Sequence, residues 1–401
     1  MDAMTSSSDD ERQSARVRRA RPPIDRTAEP VASDWSHRAD LAESAVVSRH
    51  LRRLWAAPGT RLGVVGWPPL RRERLYFTWN YWWQAHLIDC AIDAANRDPT
   101  PARTRRVARL ARAHRLRNIT GWSNDYYDDM AWLALTLERA ERNRGIAKVR
   151  GGLRALEKEL IIGWQPRIGA FPWRKGADYY NTPANGPAGI ALARLGRYAR
   201  AEEIGDWLDK HLRDGETGLI LDGVHLPAGR VERPVYTYCQ GVVLGLETEL
   251  AAHTGDFRHI DRVQRLLAAV QDQLTDRGVV TGGGGGDGGL FNGILARYLA
   301  LTALLLPGEE ADQVGARSVA AAIVKASARA AWEHRLEVEG QPLFGPDWSR
   351  PARMPAGKVG AGGPTGHGSV SASTSPERDL SVQLSGWMLM EAAYLVTAAG
   401  L

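Results

Sequence analysis

Apolar residues recur at three- and four-residue spacing through most of the chain, and short polar breaks separate the runs. The pattern predicts helices over 38–56, 76–96, 103–116, 126–142, 147–163, 184–196, 198–212, 236–254, 257–275, 289–305, 309–336 and 379–399. Met130, Leu133 and Leu137 mark the apolar face of one of them, Leu244, Leu246 and Leu250 another, and Leu384, Met388 and Leu395 the last. Thr254-Gly255-Asp256 supplies a start signal for 257–275. Strand signals are confined to Arg61–Val65 and Leu219–Leu221, so the fold class is all-α. Spacing near thirty residues with no per-repeat signature argues against a solenoid and for a closed ring of helical hairpins. Aromatic and polar residues gather at or just ahead of alternate helix starts, in 79–89, 122–129, 171–186, 236–241 and 287–293. In a ring of antiparallel hairpins those starts share one end, which predicts a single α/α barrel with a cleft at one mouth.

The composition narrows the function classes. The 401 residues are 44% hydrophobic and 24% charged, a globular balance. A net charge of +6 (52 − 46) is too dilute to imply nucleic acid. Cys90 and Cys239 are the only cysteines, which excludes a disulfide framework. Trp (14) and Tyr (11) outnumber Phe (5), as suits flat, partly wet surfaces on which a ring stacks and also donates a hydrogen bond. Residues 1–36 read as a disordered tail ahead of one domain over 37–401. No apolar segment follows Arg18-Arg19, and no run reaches the length of a membrane span, so a cytoplasmic location is expected. The stretch 340–378, rich in Gly, Pro and Ser, reads as a long loop bordering the cleft.

The densest chemistry lies in Trp122-Ser123-Asn124-Asp125-Tyr126-Tyr127-Asp128-Asp129-Met130-Ala131-Trp132. Helix capping accounts for one or two acids in a first turn, but not for three among aromatics. Adjacent residues can set carboxyl groups near the 5–5.5 Å that retaining glycosidases use, with one carboxyl ionised and the other protonated. Asp125, Asp128 and Asp129 also loosely mirror the Mg²⁺-binding acidic clusters of all-α terpenoid synthases, but no second cluster accompanies them.

Tyr81-Trp82-Trp83-Gln84-Ala85-His86 sets aromatics beside Gln and His, a combination suited to the faces and hydroxyl rim of a pyranose; a core helix with a satisfied polar pair is the alternative. Asn181 and Asn185, with Thr237 and Gln240, offer neutral donors and acceptors of the same kind, although Asn181 also fits a helix cap. The glycines 282–286 lack a following Gly-Lys-Ser/Thr and form a flexible loop rather than a phosphate cradle, with Asp287 at its end a candidate for the cleft. Seven arginines between Arg103 and Arg117, opposite Val107, Leu110 and Ala111, describe a solvated amphipathic helix; a patch facing anions or lipid headgroups is the alternative.

These motifs, in their order, resemble glycoside hydrolase family 76, the endo-α-1,6-mannanases. The likeness runs from about 75 to 395 through Tyr81–His86, Asp128–Trp132, Asn181 with Asn185-Gly186-Pro187, Thr237 with Gln240-Gly241, Phe291-Asn292-Gly293-Ile294 with Arg297-Tyr298, Phe344-Gly345-Pro346 and Gln383-Leu384-Ser385-Gly386. The resemblance implies an (α/α)6 barrel acting without metal or cofactor on α-1,6-mannan or another mannose-containing glycan or glycolipid. It implies that Asp128 is the nucleophile and Asp129 the acid/base. Trp82, Trp83, Trp122 and Tyr127 would then be sugar platforms. Gln84, His86, Asn181, Asn185, Thr237 and Gln240 would bind substrate, and Asp125 would bind a hydroxyl or support the pair. Transglycosylation and non-catalytic mannan binding on the same fold are the alternatives.

Overall fold

Twelve long helices alternate between an outer and an inner layer in the computed structural model, which describes residues 29–355, 360, 362 and 369–401. The outer helices are α1 (Ala32–His50), α3 (Pro101–Arg117), α5 (Arg150–Gly163), α7 (Tyr198–Leu212), α9 (Phe257–Gln273) and α11 (Ala311–Glu333). The inner helices are α2 (Tyr81–Arg97), α4 (Tyr127–Arg144), α6 (Thr182–Arg194), α8 (Thr237–Thr254), α10 (Gly288–Leu305) and α12 (Leu380–Ala398). Each inner helix packs on the next, and α12 returns to α2, so the ring closes; α1 lies against α12 to complete the outer layer. Val31–Leu401 forms one compact unit. This is the (α/α)6 barrel.

The two layers differ as burial requires. Inner helices such as α8 and α12 are buried on nearly every side and are largely apolar, whereas α9 keeps Ile260, Val263, Leu266, Leu267 and Val270 inward and, apart from His259 and Arg262 held against Glu247, its charges outward. By length and composition α10 is the one helix among the described residues able to cross a membrane, but its neighbours in the ring already bury most of it.

Helix α1 begins at Ala32, six residues before the predicted start, because Asp34 accepts a hydrogen bond from the Val31 amide (3.0 Å) and Trp35 is already in the core. It stops at His50, where Leu51-Arg52 pairs with Leu62-Gly63 instead of continuing the helix. Residues 1–28 of the expected tail lie outside the described residues, as do 356–359, 361 and 363–368 of the expected long loop. The sequence pattern missed a small antiparallel sheet of Tyr179–Asn181, Gly223–His225 and Arg230–Glu232, in which Tyr180 faces Val224 and Val224 faces Val231. These strands are three residues each, too short for alternation to register.

A hidden repeat holds the inner helices to their leading loops. In α2, α6, α8 and α12 the fourth residue is an amide, and its side chain bonds both backbone groups of one loop residue. Gln84 holds Gly63 (2.9 and 3.0 Å), Asn185 holds Phe171 (2.8 and 2.9 Å), Gln240 holds Ile220 (2.7 and 2.8 Å) and Gln383 holds Phe344 (3.1 and 2.9 Å). The fourth residue is Met130 in α4 and Phe291 in α10. Those two helices carry carboxylates at their starts.

Candidate active site

Asp128 and Asp129 occupy the first turn of α4, where the helix dipole favours negative charge. The Asp128 carboxylate accepts from the Asp129 amide (2.8 Å) through Oδ1 and from the Trp173 indole (2.9 Å) through Oδ2. Asp129 accepts one bond, from the Asn124 side chain (2.6 Å), and Asn124 is itself held by the Tyr126 amide (2.9 Å). Among the described residues the Asp128 anion thus has two donors and the Asp129 anion one.

A third carboxylate completes the group. Asp287 precedes α10 and accepts from the indoles of Trp82 (3.0 Å) and Trp83 (2.8 Å) and from the Val370 amide (2.7 Å). Burial raises all three carboxyls above their ordinary value of 3.8. Asp128 is pushed to about 6 by burial, tempered by its two donors and raised by Asp287. Asp129 is pushed much further up by burial, by the Asp128 charge and by Asp287, with Asn124 opposing. Two neighbouring carboxyls thus have their proton affinities pulled apart, with Asp129 holding its proton to higher pH.

Aromatic rings line the space around them. Trp82 is half-buried, and its ring lies 6.4 Å from Trp132, 6.4 Å from Tyr238 and 6.5 Å from Phe291, while Tyr238 stacks on Phe291 at 4.1 Å. Thr237 donates to Asn292 (2.7 Å), which ties the start of α8 to α10 at the same mouth.

Several expected site residues have other duties. Trp83 is buried and offers no face to a sugar; its indole N–H holds Asp287. The ring of Trp122 packs on Gly152 of α5, where an added Cβ would come within 2.8 Å of it, and Tyr127 is pressed on Gly163, where a Cβ would come within 2.2 Å. Both rings therefore fill the gap between layers. Gln84, Asn185 and Gln240 spend their amides on the loop clamps, and Asn181 caps α6 by accepting from the Ala184 amide (3.2 Å). Gln84, Asn185 and Gln240 each give both amide hydrogens to backbone carbonyls, so none of these three has a donor left for a hydroxyl. His86 is buried a turn below Trp82, edge-on to it at 5.5 Å, and lines a cavity of about 110 Å³ with Asp89, Asp93, Arg139 and Arg297 rather than the mouth. Asp125 is exposed, and its backbone oxygen accepts from the Lys175 amide (2.8 Å).

The clamps give a direct check on these reassignments. Gln240→Ala should lower stability by about 1–3 kcal/mol, because the Ile220 amide and carbonyl are left buried without partners. The KM for substrate should not change. A denaturation curve read beside a KM measurement separates this role from hydroxyl binding.

Sequence reading underrated Asn124, Trp173 and Asp287. Asn124 and Trp173 were visible inside aromatic motifs, but their partner atoms lie 5 and 45 residues away along the chain. Among the described residues no group of three His, Cys, Asp or Glu side chains is placed to hold a metal ion.

The model of glycosyl hydrolase family 76 matches residues 41–365. The α-1,6-mannanase GH76A of Salegentibacter sp. HEL1_6 is 27% identical, with a TM-score of 0.75 over 90% of this chain and 100% of that one. An inactive variant of that enzyme, with two consecutive aspartates changed to asparagine, was solved in complex with α-1,6-mannotriose at the same identity, TM-score and coverage. Mannan endo-1,6-alpha-mannosidase DCW1 of Saccharomyces cerevisiae is 29% identical over 163 residues, 36% of this chain and 35% of its own length. The chain thus spans about a third of the length of the curated relatives it matches. By the extent of the family match and the barrel that carries it, the chain belongs to glycosyl hydrolase family 76.

Proposed function

We propose that the protein is a retaining endo-α-1,6-mannosidase in which Asp128 attacks the anomeric carbon and Asp129 protonates the departing oxygen. The observation that carries this reading is the unequal pair: adjacent carboxyls on one helix turn, the first stabilised as an anion by two donors and the second inclined to hold its proton. A double displacement requires that division. After the leaving sugar departs, the Asp129 carboxylate takes a proton from water, which attacks the glycosyl–Asp128 ester and restores the starting pair. Asp287 places negative charge near both groups and orients Trp82, whose exposed part serves as a platform for a sugar ring. The Salegentibacter variant with two consecutive aspartates changed is inactive, which supports catalysis by an adjacent aspartate pair.

Substrate choice is tested by digesting linear α-1,6-mannan beside α-1,2- and α-1,3-linked mannans. Internal cleavage of the α-1,6 chain alone, giving oligosaccharides before mannose, is the expected outcome; equal cleavage of the other linkages would reject it. The pH profile follows from the two proton affinities. As pH rises, kcat/KM should climb while Asp128 ionises, with a limb near 6, and fall at higher pH as Asp129 loses its proton. In Asp129→Asn the falling limb should vanish.

A further inference from the structure

We infer that the face formed by α3 and the segment 51–77 is a docking surface for a bilayer bearing anionic phospholipid. Arg105, Arg109, Arg112 and Arg115 are exposed along α3, and Arg52, Arg53, Arg71, Arg72 and Arg74 are exposed on the preceding segment. None of these nine is ion-paired among the described residues, whereas Arg103 and Arg106, on another face of α3, are paired with Asp40 and Glu43. Glu73 is the one acid in 51–77 and 101–119, and it is buried against Arg378 (2.6 Å). The face therefore carries uncompensated positive charge.

The two segments form one surface. The Arg61 amide bonds the Arg109 carbonyl (3.3 Å), the Trp55 indole bonds the Leu75 carbonyl (3.0 Å), and Arg117 bonds the Tyr76 carbonyl (2.8 Å) while lying over Trp55 and Trp79. Large apolar side chains stand out among the arginines: Ile119 is 89% exposed, Phe77 69% and Trp55 56%, with Leu75 and Leu116 beside them. A polyanion such as nucleic acid would be served by the charge alone. Arginines interleaved with solvent-facing Trp, Phe, Ile and Leu match the headgroup zone of a bilayer, where cations meet phosphate and apolar side chains sink into the acyl boundary. Loop 118–126 leads from this face to Asn124, the donor to Asp129, so docking would hold the barrel mouth beside the membrane surface.

The test is co-sedimentation of the full chain with vesicles of phosphatidylglycerol and phosphatidylcholine mixed about 1:1, against pure phosphatidylcholine, at low and high salt. Binding to the mixed vesicles that weakens with salt is expected. The charge-reversed R105E/R109E/R112E should bind at least ten-fold more weakly, and F77S/I119S several-fold more weakly. Both should keep the circular dichroism spectrum and the activity on soluble substrate. Three results would each overturn the proposal: no binding to mixed vesicles, equal binding to pure phosphatidylcholine, or unaltered binding by F77S/I119S. In the last case tight retention on heparin would identify a polyanion site instead.

Discussion

Asp128→Asn and Asp129→Asn should each lower turnover on α-1,6-mannan by about three orders of magnitude or more, for different reasons. In the proposed mechanism loss of Asp128 removes the atom that forms the covalent bond, so no choice of leaving group should restore the first step. Loss of Asp129 removes the proton donor. A mannoside with an activated aryl leaving group, which needs no proton, should recover much of the first step in Asp129→Asn but not in Asp128→Asn. Small-anion rescue separates them further. Azide should give the α-mannosyl azide with Asp129→Ala, by capture of the glycosyl–enzyme, and the β-azide with Asp128→Ala, by direct displacement. Equal response of the two variants would reject the assigned roles.

The same substitutions carry a stability signature of opposite sign. Both carboxyls have folded-state affinities raised above 3.8, so the folded protein binds more protons than the unfolded chain once pH exceeds that value. Folding stability is therefore lost as pH rises from about 4 through the folded-state values, near 6 for Asp128 and higher for Asp129. An uncharged Asn escapes that loss. At pH 7 Asp129→Asn should unfold at a higher temperature than the parent, with the gain shrinking as the pH is lowered towards 4.

The second large effect belongs to the opposite half of the barrel. Arg297 of α10 pairs with Asp89 (3.0 Å) and Asp93 (2.7 Å) of α2, and Arg139 of α4 bonds the same two aspartates. The four side chains neutralise one another inside the ring and tie three inner helices together. Burial alone would raise Asp89, but the two guanidinium groups overcome it and hold that carboxyl below its ordinary range. Arg297→Met should cost about 3–5 kcal/mol, because two buried carboxylates would be left with one cation between them. A chemical denaturation midpoint reads this directly. The double variant with Asp89→Asn should recover part of the loss, since the stranded charge is then reduced.

How much of this was legible in the chain depends on the range over which each cause acts. The helices follow from apolar spacing within one or two turns, and their number and order match the expectation; the start of α1 does not, since its signal is a single Asp34 bond and one core tryptophan. The acidic pair stood out because three aspartates fall within five residues. The loop clamps did not, because their partners lie 14 to 39 residues away and the amide is Asn in one helix and Gln in three. For the same reason the resemblance singles out Gln84, Asn185 and Gln240 and implies contact with sugar, where the structure has contact with backbone. Trp82 and Trp83 are neighbours in sequence and alike in letter; only the packing of the ring of helices leaves Trp82 half-buried and buries Trp83.

The stereochemistry of the first product tests the two-carboxylate mechanism most directly. Proton NMR of a fresh digest of linear α-1,6-mannan, recorded before mutarotation, should show the new reducing end as the α-anomer. Initial appearance of the β-anomer would mean a single displacement by water, and Asp128 could not then be the nucleophile.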